Sequence, residues 1–179
     1  EEFGEGSFDK GVYLSIPFAD DAMARRVEPQ APSITKRLGA VKAIAEAGIP
    51  VGVSIAPVIP GLNDDHMFEI LRQAREAGAR TAFYSLLRLP GNVEPVFLER
   101  MSKAYPDRIK RITNHLQEVR GGMLSSSKFF ERHRGKGTYG EMLEQLFLTA
   151  RRKAGFPEEP EPPVPSTFRR PHPQQIKLF

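Results

Sequence analysis

Cysteine is absent from the 179 residues, and so is tryptophan. Without thiols the chain can form no disulfide, no thiolate metal site and no cysteine nucleophile. Only four histidines are present (His66, His115, His133 and His172), and none are paired at the HxxxH-type spacing of a helical zinc site. A cofactor acting here would be held by oxygen, nitrogen and backbone groups, or by residues outside the chain. No run approaches the ~18 consecutive apolar residues of a membrane span, so no membrane partner is expected. The opening Glu1-Glu2-Phe3-Gly4 has neither a Met nor a basic apolar leader. It reads like the interior of a longer cytoplasmic polypeptide.

What is present is an ordinary globular composition, 40% hydrophobic and 27% charged, with a formal net charge of +4. The positive charge is uneven. Between Arg80 and Lys153 there are fifteen Lys/Arg against seven Asp/Glu, an excess of eight. A basic half fits a nucleic-acid surface, and it equally fits a solvated helical face.

The pattern along the chain alternates strand and helix. Val12–Ile16 (VYLSI), Val51–Ile59 (VGVSIAPVI) and Ala82–Leu89 (AFYSLLRL) read as strands, the second apolar on both faces as a buried parallel strand is. Ser33 is placed to cap a helix carrying Ile34, Leu38, Val41 and Ala45 and stopped at Gly48. A second helix starts at Asp64-Asp65, runs through Phe68, Leu71 and Ala74, and closes at Gly78. Strand, loop, helix and glycine in repeated order predict a parallel sheet with crossover helices. Beyond Pro90 helices alone are expected: Val93–Ala104, then Pro106–Val119 with Pro at its first position, then a helix from a Thr138/Glu141 capping box to about Ala154. The proline-rich stretch from Pro157 is too poor in apolar residues to fold and reads as a disordered tail. Three βα units cannot close a barrel, so further strands before Gly11 are expected.

VYLSI, EPQAPSITKRL, AGIPVGVSIAPVIPGLND, LLRLP, YPDR, RGG and RGKGTY, in that order and spacing, resemble the radical-SAM superfamily. More narrowly, they resemble its DNA-repair-photolyase-like branch, related to spore photoproduct lyase. The resemblance covers the chain to about Gly155. It implies an α/β fold: the second half of a partial (β/α)₆ TIM-like barrel (residues 1–92, about three parallel strands), a helical extension (93–156) and the tail (157–179). It further implies an enzyme that uses a [4Fe–4S] cluster and S-adenosylmethionine (SAM), with an external electron donor, to abstract hydrogen from a substrate, as in DNA repair. The CxxxCxxC loop that holds the cluster follows the first strand of such barrels and is not in this sequence. The chain alone is therefore expected neither to bind the cluster nor to cleave SAM.

For the visible half, the resemblance implies a set of SAM contacts at the C-terminal ends of the strands. Ser15 would meet the SAM ribose or carboxylate. Arg37 would meet the carboxylate with its guanidinium fork, oriented by Glu28. Ala56, Pro57, Val58 and Ile59 would support adenine through apolar contact and backbone groups, and Leu87 would pack the ring. Arg88 stands in an apolar strand; if buried, it needs an anionic partner, either a ligand or a structural carboxylate. Each of these residues also has a plain reading, as a tucked hydroxyl, a surface ion pair, a βα turn or core. Tyr84 is read as core rather than as a hydrogen-atom relay.

Two further signals lie downstream. Lys128, Arg132, Arg134 and Lys136, interleaved with Phe129, Phe130 and Tyr139, combine cations for phosphates with aromatics for bases. The same residues fit a solvated loop pinned by its phenylalanines. The terminal Gln175-Ile176-Lys177-Leu178-Phe179 resembles the QLxLF-type peptide that docks on the bacterial DNA sliding clamp, Gln175 for polar contact and Ile176, Leu178 and Phe179 for an apolar pocket. That defines the alternative function, a non-catalytic DNA-associated module tethered to the clamp. An unrelated phosphate-binding βα protein is disfavoured because no glycine-rich loop follows any strand.

Overall fold

The computed structural model describes residues 12–124 and 135–157. It is an α/β arrangement of three parallel strands, β1 (Val12–Ser15), β2 (Val51–Val58) and β3 (Thr81–Leu86), in the order β1-β2-β3. Between β1 and β2 lie α1 (Asp21–Val27) and α2 (Ile34–Glu46); between β2 and β3 lies α3 (Met67–Glu76), entered through a 3-10 turn at Asp64–His66. After β3 come α4 (Val93–Ala104), α5 (Ile109–Val119) and α6 (Gly137–Lys153). The α/β class and parallel order match the expectation from the repeated strand–helix–glycine pattern. None of the described helices is long and apolar enough to cross a membrane.

The register pairs Tyr13 with Gly52 and Gly52 with Thr81, then Ser15 with Ser54 and Ser54 with Phe83. Side chains alternate along a strand, so these residues share one face of the sheet. The opposite face carries Leu14, Val53, Ile55 and Tyr84. Val53 and Ile55 are fully buried there, in one core with Ile34 and Val41 of α2 and Ile70, Leu71 and Ala74 of α3. α2 packs on β1 and β2, α3 on β2, and α6 against α3 and α5. The Tyr84 ring meets Phe147 of α6 at 4.9 Å between centroids, a core contact.

The helix ends show which local signals prevailed. Ser33 accepts from the Lys36 amide as an N-cap should, and Gly48 ends the segment with φ +74°. α1 was not foreseen; Asp20 caps it by accepting from Met23 N, a signal that the short interval before Pro29 concealed. α5 begins at Ile109, not at Pro106, because residues 106–108 form a turn in which Arg108 and Ile109 both bond the Tyr105 carbonyl. The Thr138/Glu141 capping box does not form: α6 starts at Gly137, so Thr138 lies inside the helix, and Lys136 caps it without a side-chain bond. β3 is shorter than AFYSLLRL, ending at Leu86, and Leu87 continues only as far as one bond to the Val58 carbonyl.

Candidate functional site

Four of the residues expected at a ligand site converge where β1 and β2 end. The Ser15 hydroxyl donates to the Ala56 carbonyl across the two strands. Arg37, one turn into α2, reaches back: Nη1 donates to the Ser15 carbonyl at 3.1 Å and Nε to the Pro32 carbonyl at 2.9 Å. Nη2 donates to the Glu28 carboxylate. The side chains of Arg37 and Glu28 are only 13% and 26% exposed, so the pair is screened less than a surface ion pair. Glu28 is itself held by the end of α1, its amide bonding Ala24 O at 2.7 Å. The result is a cation fixed in orientation beside the C-terminal ends of two parallel strands.

The β2 ending departs from the expectation that residues 56–59 leave carbonyls for a ligand. Ala56 O accepts from Ser15, and Pro57 O from Asn63 Nδ2 at 3.0 Å. Val58 O accepts from Leu87 N at 2.8 Å, and Ile59 O from the amides of Leu62 and Asn63. Each acceptor already has one internal donor, and Asn63 supplies it for Pro57 O and shares in it at Ile59 O. Val58 and Ile59 are fully buried, which leaves Ala56 and Pro57, both half-buried, as the accessible part of this ending.

Asn63 does more than fill the turn. It is fully buried, its Nδ2 also donates to Pro17 O at 2.7 Å, and its Oδ1 accepts from Ile59 N at 2.7 Å. Next to it Asp64 accepts from Gly61 N at 2.9 Å and from the Tyr139 hydroxyl. Tyr139 stacks on His115, with centroids 4.1 Å apart and planes 16° apart. Burial and the Asp64 hydrogen bond push the phenol well above its ordinary value, with Arg111 opposing. Tyr139 is therefore a fastener between α6 and the β2–α3 turn, not a free base-stacking platform. The Asn-Asp pair after IPGL was the available signal.

Arg88 is exposed and lies beyond the end of β3, so no anionic partner is required of it. The buried cation is Arg120, 4% exposed, whose Nη2 donates to Leu87 O at 2.9 Å. Burial chiefly, with the charge of Arg88, lowers its pKa. Leu87 is buried, and its carbonyl accepts from Arg120. Lys136 is exposed at the start of α6. Lys128, Arg132 and Arg134 lie outside the described residues, as do Gln175, Ile176, Leu178 and Phe179. Among the described residues no group of three His, Asp or Glu could hold a metal ion.

Comparison with known proteins identifies relatives but no activity. The chain is 29% identical over 170 residues to uncharacterized proteins of two strains of Mycobacterium tuberculosis and one of Mycobacterium bovis. The match covers 94% of this chain and 46% of each relative, so the chain spans about half the length of the curated relatives it matches. No family model matches, and no solved structure matches.

Proposed function

We propose that this chain forms one wall of a SAM-binding barrel in a radical-SAM enzyme, with the cluster held by residues outside it. The observation that carries the reading is the oriented Arg37, fixed by Glu28 and the Ser15 carbonyl at the C-terminal ends of two parallel strands. Ligands of βα sheets bind at that end. The parallel sheet, covered by helices on the Val53–Ile55 side, presents Tyr13, Ser15, Ser54 and Phe83 on its other side, as a barrel wall presents its interior.

The residues fit SAM in part. A guanidinium carries five N–H donors, and three bonds of Arg37 use one from each nitrogen, so the two N–H groups left on Nη1 and Nη2 are what a carboxylate would engage. Ser15 donates its proton to Ala56 and keeps its oxygen lone pairs as acceptors for a ribose hydroxyl. Ala56 and Pro57 offer apolar contact to adenine, while their carbonyls stay with Ser15 and Asn63. The iron–sulfur cluster does not fit this chain, which has no cysteine. Hydrogen abstraction, and nucleic acid as its substrate, are thus proposals about a longer protein.

The test is to read the coding DNA upstream of Glu1 and to purify the complete product anaerobically. A CxxxCxxC in frame, on the order of 100 residues earlier, with bound iron and release of 5′-deoxyadenosine from SAM, is the expected result. Arg37→Ala should then weaken SAM binding while iron content is retained. An open frame without those cysteines overturns the reading.

A further inference from the structure

Away from the strand ends, α1 and α4 border a cleft of about 860 Å³, within the size range of sites for small organic ligands. Its lining is unevenly divided. Val93, Val96 and Phe97, from the first half of α4, supply an apolar wall, and Val93 and Val96 are each 49% exposed. Arg100 and Lys103, from the second half of α4, and Arg26 of α1 supply three cations, and among the described residues no carboxylate lines the cleft. Arg26 lies over the Tyr105 ring at 5.7 Å, which places it at the C-terminal end of α4 beside the other two. Lys103 pairs with Glu99 at 2.6 Å, but both side chains are largely exposed, and an exposed pair yields readily to a competing anion. The lining residues Val93 to Ala104 extend over eleven residue steps of helix, roughly 16 Å at the α-helical rise. The cleft is therefore an elongated trough, apolar toward one end and cationic toward the other.

We propose that this trough is a binding site for an elongated amphipathic monoanion, an aliphatic carboxylate. Its chain would lie on Val93, Val96 and Phe97 and its carboxylate among Arg26, Arg100 and Lys103. Burial of the chain supplies affinity, and the cations select the acid over a neutral molecule of the same shape. The site is independent of Arg37 and of the SAM reading.

Decanoate is the probe, titrated into the full chain below the concentration at which it forms micelles, with calorimetry and methyl NMR shifts as readouts. Saturable one-to-one binding is expected, with shifts concentrated at Val93, Val96 and Met101. Decanol should bind roughly tenfold more weakly or worse, as one lost charge contact implies. Arg100→Glu should weaken decanoate by a similar factor and leave decanol unchanged. Val96→Asp should weaken both. Arg100 and Val96 are exposed, so both variants should fold, and circular dichroism checks this. Absence of saturable binding, or equal affinity of wild type and Arg100→Glu for decanoate, overturns the proposal. So does a set of shifts lying outside α1 and α4.

Discussion

The two faces of the same three-stranded sheet are built on opposite terms. On one, Leu14, Val53 and Ile55 are packed beneath α2 and α3, and Val53 and Ile55 have no exposure. On the other, Tyr13 and Phe83 are 37% and 40% exposed, their rings 5.5 Å apart, and the residues between them are Gly52 and Ser54. Identical strand register thus yields a structural face and a face with little of its own cover among the described residues. The difference can be measured. Ile55→Ala should cost about 3 kcal/mol or more, the range for emptying a packed aliphatic site, seen as a lower urea midpoint with unchanged slope. Phe83→Ala should cost about 1 kcal/mol or less, the worth of an exposed cross-strand pair. Equal costs would mean that the second face is as well covered as the first.

A smaller loss is expected at the seam where the two faces end. Asn63→Ala removes the donor to Pro17 O and the acceptor for Ile59 N, both buried, and the donor to the half-buried Pro57 O. Leaving buried polar groups unmet costs more than the net gain of making the bonds. A loss of about 2–3 kcal/mol is expected. Asn63→Asp is the sharper variant: it keeps the acceptor but turns a carboxylate toward two carbonyls, and should be no more stable than Ala. Full stability in both would show that the turn holds without the amide.

Periodic features were legible in the sequence because they depend on local spacing. Val51–Ile59 reads as a strand from its continuous apolar run, and the observed strand ends one residue earlier; Ser33 with Gly48 brackets α2 by capping chemistry alone. The cluster of Ser15, Glu28, Arg37 and Ala56 was reached through family resemblance; the Ser15–Ala56 contact follows from strand register, and the Arg37–Glu28 pair from the approach of α2 to the end of α1. What escaped was long-range pairing. Asp64 meets Tyr139 across 75 positions, and Arg120 meets Leu87 across 33. Arg88 drew attention because it interrupts an apolar run, yet the strand ends two residues earlier and the side chain turns outward. The buried cation sits instead at the glycine-terminated end of α5, where composition resembles an ordinary helix end.

On the less covered face the next effect comes from Gly52. A Cβ there would lie 2.3 Å from Tyr13 Cε1 and 2.5 Å from Thr81 Oγ1, because the Tyr13 ring lies across the glycine and its hydroxyl accepts from Thr81 at 3.2 Å. Gly52→Ala should therefore cost about 1–2 kcal/mol through displacement of the ring. Tyr13→Ala in the same chain should recover part of that loss, the close approach to Thr81 Oγ1 remaining, so that the double variant is more stable than the sum of the singles predicts. Strict additivity would mean that the ring does not rest on the glycine.

The smallest effect is expected on the outward side of α3, whose inward side builds the covered face with Ile70, Leu71 and Ala74. Glu69 accepts from Arg72 at 2.9 and 2.6 Å and from Gln73 at 2.7 Å. Arg72 first, and Gln73 second, lower its carboxyl from 4.5 to about 2. A depressed folded-state value favours the folded protein while the carboxylate is ionised in both states. The contribution is complete above pH 4.5 and declines as pH falls toward about 2. Glu69→Gln should therefore lower Tm slightly near neutrality, and the gap to wild type should close on acidification between those limits. Because the Glu69 and Arg72 side chains are each 41% exposed, high salt should close part of the same gap at pH 7. A gap that survives both treatments would assign the effect to helix packing instead, and would tie the outward side of α3 to the core it shields.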